Sequence, residues 1–173
     1  MSVLPRIIDK DTTTKKVHDN VVYDNVYDSE SRSYFMPAKD MFHQAVKNAL
    51  IKEGWSITHD PLFLRFGGVD LYVDLGAEKV IAAQKGERKI AVEVKSFVNP
   101  SVMFDFHLAI GQYIDYRTAL AADDPERMLF LAVPSTIYKS FFTLPFTQTV
   151  VAENHLKLLV YDIRQEAISV WQT

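Results

Sequence analysis

The chain predicts an α/β, or mixed α+β, fold in which a central mixed sheet is flanked by helices. Three features carry this prediction. Alternation of apolar and polar residues in "VDLYVDLG" (69–76) and "KIAVEVKSF" (89–97) has the two-residue period of strands. Two stretches, 37–54 and 103–122, instead space their apolar residues as one face of a helix. The order along the chain is helix, several strands, helix, strand, which suits helices packed on one sheet.

Residues 1–35 stand apart. "DKDTTTKKVHDNVVYDNVYDSESRS" is polar, rich in Asp, Thr, Ser and Asn, and lacks helical apolar spacing, so a disordered or loosely attached arm is expected. The tandem "VVYDNVYD" leaves a short strand open as the alternative. Met36 opens "MPAKD" and can itself serve as a start codon. The expected division is therefore 1–35 as an N-terminal extension and 36–173 as one domain.

From Pro37 each element has a local reason. "PAKDMFHQAVKNALIKEGW" puts Phe42, Ala45, Val46, Ala49 and Leu50 at helical spacing, with Pro37 in the first turn and Asp40 near the positive end of the macrodipole. Gly54 suits the C-terminal cap. "WSITH" reads as a short strand, "DP" as a break, and "LFLRF" as an extended piece ending at Gly67-Gly68. "VDLYVDLG" places Val69, Leu71, Val73 and Leu75 on one face and Asp70, Tyr72 and Asp74 on the other. "KVIAAQ" and "RKIAVEVKS" flank "KGE" as a hairpin, which would set Glu93 near Val80. A long helix within "MFDFHLAIGQYIDYRTALAA" closes at "DDPE". A buried strand "MLFLAV", a break at Pro134, a helical stretch around "STIYKSFF" and two late strands, "LKLLVYD" and "AISVW", complete the reading. No internal repeat is seen.

Bulk properties exclude several classes. The 173 residues suit one domain with a proper core, and 48% hydrophobic with 24% charged residues is ordinary for a soluble globular chain. With no cysteine there is neither a disulfide framework nor a thiolate metal site, which fits a reducing, cytoplasmic setting. No run approaches the roughly 18 apolar residues of a membrane span, and the N-terminus lacks a signal-peptide core. A net charge of −3 without a basic tract argues against tight DNA binding by a basic surface alone. It leaves room for a nuclease whose acidic metal site offsets local basic residues.

The chemistry-bearing residues begin at Glu93 and Lys95. On a strand they share one face, roughly 6.5–7 Å apart. Asp70 and Asp74 share a face of an earlier strand, and matched neighbouring strands would gather these carboxylates with the lysine. Crowded carboxylates resist desolvation unless a cation sits between them, and Mg²⁺ (or Mn²⁺) meets that need with a few carboxylate oxygens and retained waters. Such an ion polarises a phosphate oxygen and acidifies bound water. Lys95 would orient the attacking water or stabilise developing charge. Against this stands the plainer reading of Glu93 and Lys95 as a solvated surface pair, stabilising by roughly 0–1 kcal/mol. Asp70 alone reads equally well as a turn residue after Gly67-Gly68.

The second long helix adds Gln112 and Tyr116, i and i+4 neighbours. With Leu108 at the wheel's origin, Asp105, Ala109, Gln112, Tyr113, Tyr116, Ala119 and Leu120 cluster on one side, opposite Asp115, Arg117 and Thr118. That sets Gln112 near the middle of the inward face, where its amide needs a partner: a backbone carbonyl, an active-site group or a substrate phosphate. His43, at the edge of the first helix's apolar stripe, is either a boundary histidine or a helper of phosphate or metal. Glu53 reads as solvated, and His59 and His107 lack metal-ligand spacing. Phe104, Phe106, Phe141, Phe142 and Phe146 read as core or partner-facing surface; an exposed patch among them would favour a protein interface over base stacking, because few basic residues accompany it.

Acid, E-x-K and then helical Q-x-x-x-Y resembles the PD-(D/E)xK nuclease superfamily, particularly its RecB-like branch. More closely, "MPAKDMFHQAVKNALIKEGWSITHDP", "DLYVDLGAEK", "KIAVEVKSF", "GQYIDYR" and "LAVP" together resemble the XisH family, named for control of fdxN DNA element excision in cyanobacteria. The likeness runs from Met36 to about Val170. It implies a restriction-endonuclease-like core of a helix, a mixed four-stranded sheet and a second helix, with Mg²⁺ as usual cofactor, DNA as substrate and an XisI-like protein as partner. A homo-oligomer is compatible with it. Carried over by position, Glu93 and Lys95 match the E-x-K element and Gln112 and Tyr116 the helical one. His43 falls where RecB-like members bring a histidine. The motif's proline-aspartate is absent; Asp74 and Asp70 are both candidates for the acid, with Asp74 preferred from the expected hairpin register and, with Glu93, the expected metal ligand.

Overall fold

The computed structural model describes the backbone of residues 38–73, 75–80 and 87–173. The expectations for residues 1–35, for Pro37, for Asp74 and for the tip of the "KGE" turn lie outside the described residues.

Helix α1 (Ala38–Lys52) buries Ala45, Val46, Ala49 and Leu50, the stripe that its 3.6-residue period defines. Gly54, at φ 83°, ends it. Its N–H donates to Ile51 O at 2.9 Å and the Trp55 N–H to Leu50 O at 3.0 Å, the paired bonds of a Schellman cap. Leu50 and Trp55 then meet in one buried cluster.

Strands β1 (Ser56–His59), β2 (Leu62–Phe66), β3 (Val69–Val73), β4 (Leu75–Val80) and β5 (Glu87–Val94) follow. Gly67 and Gly68, both at positive φ (58° and 84°), join β2 to β3 in a two-residue hairpin, whose type I′ geometry needs that conformation twice in succession. The alternating run 69–76 is not one strand in use. Its first part pairs only with β2 in a separate two-stranded sheet, and its second part, β4, enters the main sheet between β1 and β5.

That main sheet has six strands in the order β1-β4-β5-β6-β7-β8, with β6 (Met128–Pro134), β7 (Leu158–Asp162) and β8 (Ala167–Gln172). It is wider than the four-stranded core the resemblance implies. The β5-β6 and β6-β7 pairs are parallel and the rest antiparallel, so the sheet is mixed. Parallel neighbours need crossovers. Helix α2 (Val102–Asp123) provides the first. Helix α3 (Ser135–Ile137), a π-helical turn (Tyr138–Phe142) and helix α4 (Pro145–Glu153) provide the second. Sequence reading does not anticipate α4, because its Thr and Val residues carry low helix propensity. Its signals are Pro145 in the first turn and Thr147 and Val151, four apart and both buried.

The β4-β5 register also corrects an expectation. Val80 pairs with Glu87, not with Glu93, and Leu75 pairs with Val92. Strand β5 starts at Glu87, the last residue of "KGE".

The sheet carries a core on each face. On one, Ala45, Val46 and Leu50 of α1 pack on Ile90, Val92, Val94, Phe130, Leu159 and Tyr161. On the other, Ala109, Tyr113, Ala119 and Leu120 of α2, with Leu62 and Leu64 of β2, pack on Ala91, Leu131, Leu158 and Val160.

Candidate active site

Strand β5 sorts its side chains by parity: Ile90, Val92 and Val94 enter the α1 core, while Ala91 enters the α2 core. Glu93 shares the parity of Ala91 and is only 3% exposed. Lys95 lies one residue beyond the strand, yet its N–H still donates to Ala132 O at 3.1 Å, so β5-β6 pairing carries on to it. Its Nζ lies 2.7 Å from Glu93 Oε1, and its side chain keeps 20% exposure. The solvated-pair alternative therefore does not describe Glu93. A buried carboxylate needs a compensating partner, and Lys95 supplies one while reaching toward solvent.

The chain beyond Lys95 is tightly held. Phe97 takes φ 54°, a left-handed conformation that costs a non-glycine residue about 1–2 kcal/mol. Packing offsets it: Phe97 is buried and meets Phe142 edge-on at 5.7 Å. Asp105, also buried, accepts from the Asn99 N–H at 3.2 Å and from Asn99 Nδ2. Ser101 caps α2, its Oγ accepting from the Phe104 N–H at 3.2 Å. Strand end and helix start thus form a fixed elbow beside Lys95.

On α2 the inward face is the expected one: Asp105, Ala109, Tyr113, Tyr116, Ala119 and Leu120 are buried, and Asp115 and Thr118 are exposed. Leu108, which marks the wheel's origin outside that cluster, is 49% exposed, and Phe104 is 55% exposed. Gln112 is half-buried at the margin of the face rather than at its middle, whereas Tyr116 is buried in the α2 core. Tyr113 is the polar anchor there: its hydroxyl donates to Leu129 O and accepts from the Lys157 N–H, each at 3.0 Å, and burial raises its pKa.

Asp70 sits on the outer hairpin, where its carboxylate accepts from Arg65 Nε at 2.7 Å and Arg65 Nη2 at 3.1 Å. It is exposed and engaged there in a two-point pair. Asp74 lies outside the described residues; its chain neighbour Leu75 pairs with Val92, the residue before Glu93. His43, on the α1 side of the sheet, meets Asp60, with Nε2 2.7 Å from Oδ1, and Lys47 Nζ lies 2.6 Å from Oδ2. Burial pushes the Asp60 carboxyl up, but hydrogen bonding and charge from Lys47 and His43 outweigh it and leave the pKa below the usual value. The sequence marks Asp60 only as part of the "DP" break. The available signal was His43 and Lys47, spaced i and i+4 with two donors on one helix face. Among the described residues, no three His, Asp or Glu side chains gather as a metal site. Also among them, no helix is long and apolar enough to cross a membrane.

Comparison with known proteins agrees along most of the chain. A family model described as XisH protein matches residues 36–169. The crystal structure of an XisH family protein from Nostoc punctiforme PCC 73102 superposes with a TM-score of 0.71 at 51% identity, covering 78% of this chain and 100% of that one. A fdxN element excision controlling factor protein from Anabaena variabilis gives a TM-score of 0.71 at 50% identity, covering 78% and 99%. No match was found among curated proteins.

Proposed function

Because the chain belongs to the XisH family, we propose that it is a controlling factor for DNA element excision, acting on DNA phosphodiesters through a PD-(D/E)xK-type site centred on Glu93 and Lys95. The Anabaena variabilis relative, half identical in sequence, carries the excision role in its name. The observation that carries the chemical part is the burial of Glu93 with Lys95 at 2.7 Å. A carboxylate held in the interior beside an ammonium that reaches solvent is a costly arrangement to keep for stability alone.

The donor set suits a hard divalent cation, since Mg²⁺ is commonly held by one or two carboxylates with waters and substrate phosphates. Glu93 is a buried oxygen donor, and Asp74 is the second acid in this reading, with Asp70 set aside because Arg65 engages it. When bound, the ion would neutralise phosphate charge and acidify a water. Lys95 orients the attacking water or steadies charge developing on the phosphate, and its backbone bond to Ala132 fixes where the ammonium starts from. Gln112, at the margin of α2, offers an amide toward substrate; Tyr116 packs behind it. His43, turned to Asp60 on the opposite side of the sheet, acts in this reading only on DNA approaching the α1 side.

A second reading is a catalytically weak nuclease fold that docks an XisI-like protein. It is favoured by Phe104 and Leu108, 55% and 49% exposed one turn apart on the outer face of α2. One assay separates the two. Purified protein with Mg²⁺ or Mn²⁺ should nick plasmid DNA, and Lys95→Ala should lower the rate about 10²–10³-fold. Equal background from both proteins, with and without the partner, would leave only the docking role.

A further inference from the structure

A cleft of about 550 Å³ opens on the α1 face of the sheet, toward the opposite end of β5 from Lys95. There α1 has stopped at Lys52 and turned at Gly54, so among the described residues no helix covers that part of the face. Strand parity decides what lines it. Arg88 shares the parity of Ile90 and Val92, and Lys157 that of Leu159 and Tyr161, all four of which enter the α1 core. Both cations line the cleft; Lys157, just before β7 at the end of the sheet, also borders the α2 side.

Its wall is aromatic. Trp171 is half-buried, its ring 5.9 Å from Trp55 and 4.9 Å from the buried Phe130. Trp171 Nε1 donates to Glu53 Oε2 at 3.1 Å, so the acid of the rim is tied to the wall. Among the described residues, neither Arg88 nor Lys157 forms an ion pair. The volume lies within the roughly 300–1,000 Å³ of small-ligand sites.

We propose that this cleft binds a nucleotide, the base against Trp171 and the phosphate between Arg88 and Lys157. Charge selects the occupant. Two cations beside an indole call for an aromatic group joined to an anion, and a nucleobase with its phosphate supplies both, as at single-strand stacking platforms. The site is independent of the Glu93–Lys95 reading, because binding here needs neither metal nor cleavage. A free nucleotide and the end of a nucleic-acid strand present the same chemistry.

The test uses the chain's own reporters. It contains only two tryptophans, and both line this cleft. Intrinsic fluorescence of the full chain, without divalent metal, is titrated with thymidine 5′-monophosphate, a four-residue oligothymidylate, thymidine and phenylacetate. The expected result is saturable quenching by thymidine 5′-monophosphate or the oligothymidylate, with thymidine weaker by roughly tenfold or more and Arg88→Glu/Lys157→Glu weakening binding by at least as much. Tighter binding of the oligothymidylate identifies a strand as the source; equal binding identifies a free nucleotide. Arg88→Ala, at an exposed position, provides a milder variant should the double variant misfold. No saturable quenching, quenching unchanged in folded charge variants, thymidine equal to its phosphate, or phenylacetate equal to the nucleotide would each overturn the proposal.

Discussion

Lys95 Nζ stands 2.7 Å from Glu93 Oε1, so an almost fully buried carboxylate and a partly exposed ammonium share one charge-assisted contact at the end of β5. Glu93 is fixed within β5, and Lys95, one residue beyond the strand's end, turns its ammonium back to it. The consequences are separable by experiment.

Removing the ammonium should destabilise the fold as well as impair any chemistry. Lys95→Ala removes the ammonium that compensates the buried Glu93 carboxylate, a loss of about 1–3 kcal/mol. Glu93→Gln/Lys95→Met should recover most of it, because the desolvated charge is gone. Urea unfolding of the variants checks both. Equal midpoints for wild type and Lys95→Ala would show that the pair does not bear on stability.

Calorimetry tests the metal. Wild-type chain is expected to take up Mn²⁺ or Mg²⁺ at neutral pH, and Glu93→Gln, which loses an ionised ligand, to lose that uptake. Identical isotherms would remove Glu93 from the ligand set whatever the nicking assay returns.

Two buried tyrosines should respond oppositely to loss of the hydroxyl. Tyr113→Phe strands Leu129 O and the Lys157 N–H and should cost about 1–3 kcal/mol. Tyr161 is wholly buried, its hydroxyl has no partner among the described residues, and desolvation raises its pKa far above normal. Tyr161→Phe should therefore be neutral or stabilising by up to ~1 kcal/mol. Thermal unfolding of the two variants side by side decides it.

The Asp60 carboxylate gives a signed pH dependence. Its folded pKa lies below the ordinary value, so its contribution is fully present above the unfolded pKa of about 3.9 and is lost as pH falls through the folded one. Asp60→Asn should be less stable than wild type at pH 7, with the gap closing below about pH 4. A gap that persists unchanged to lower pH would rule out Asp60 as its origin.

Gly54→Ala should cost about 1–2 kcal/mol, because φ 83° is left-handed while no atom lies within 4 Å of the added Cβ. The loss is conformational, so Gly54→Asn should recover part of it. Denaturant midpoints measure both.

What local spacing could determine about this protein, it did. A period of two assigned Ile90, Val92 and Val94 to one face and Ala91 and Glu93 to the other, and a single glycine marked the end of α1. The E-x-K and Q-x-x-x-Y spacings and the XisH likeness were legible for the same reason, since each is a pattern within one element or along the chain. Partner choice between distant segments was not legible. The run from Val69 divides between two sheets, the β4-β5 register differs from the one the turn suggested, and Gln112 lies at the margin of the α2 face and not at its middle. Asp70 turned to Arg65, and Asp60 gathered His43 and Lys47 from a helix over a dozen residues away. Such choices depend on which buried surfaces fit and which charges find partners after packing. A register slip or helix rotation leaves local periodicity intact while changing every neighbour, so only the tertiary structure decides them.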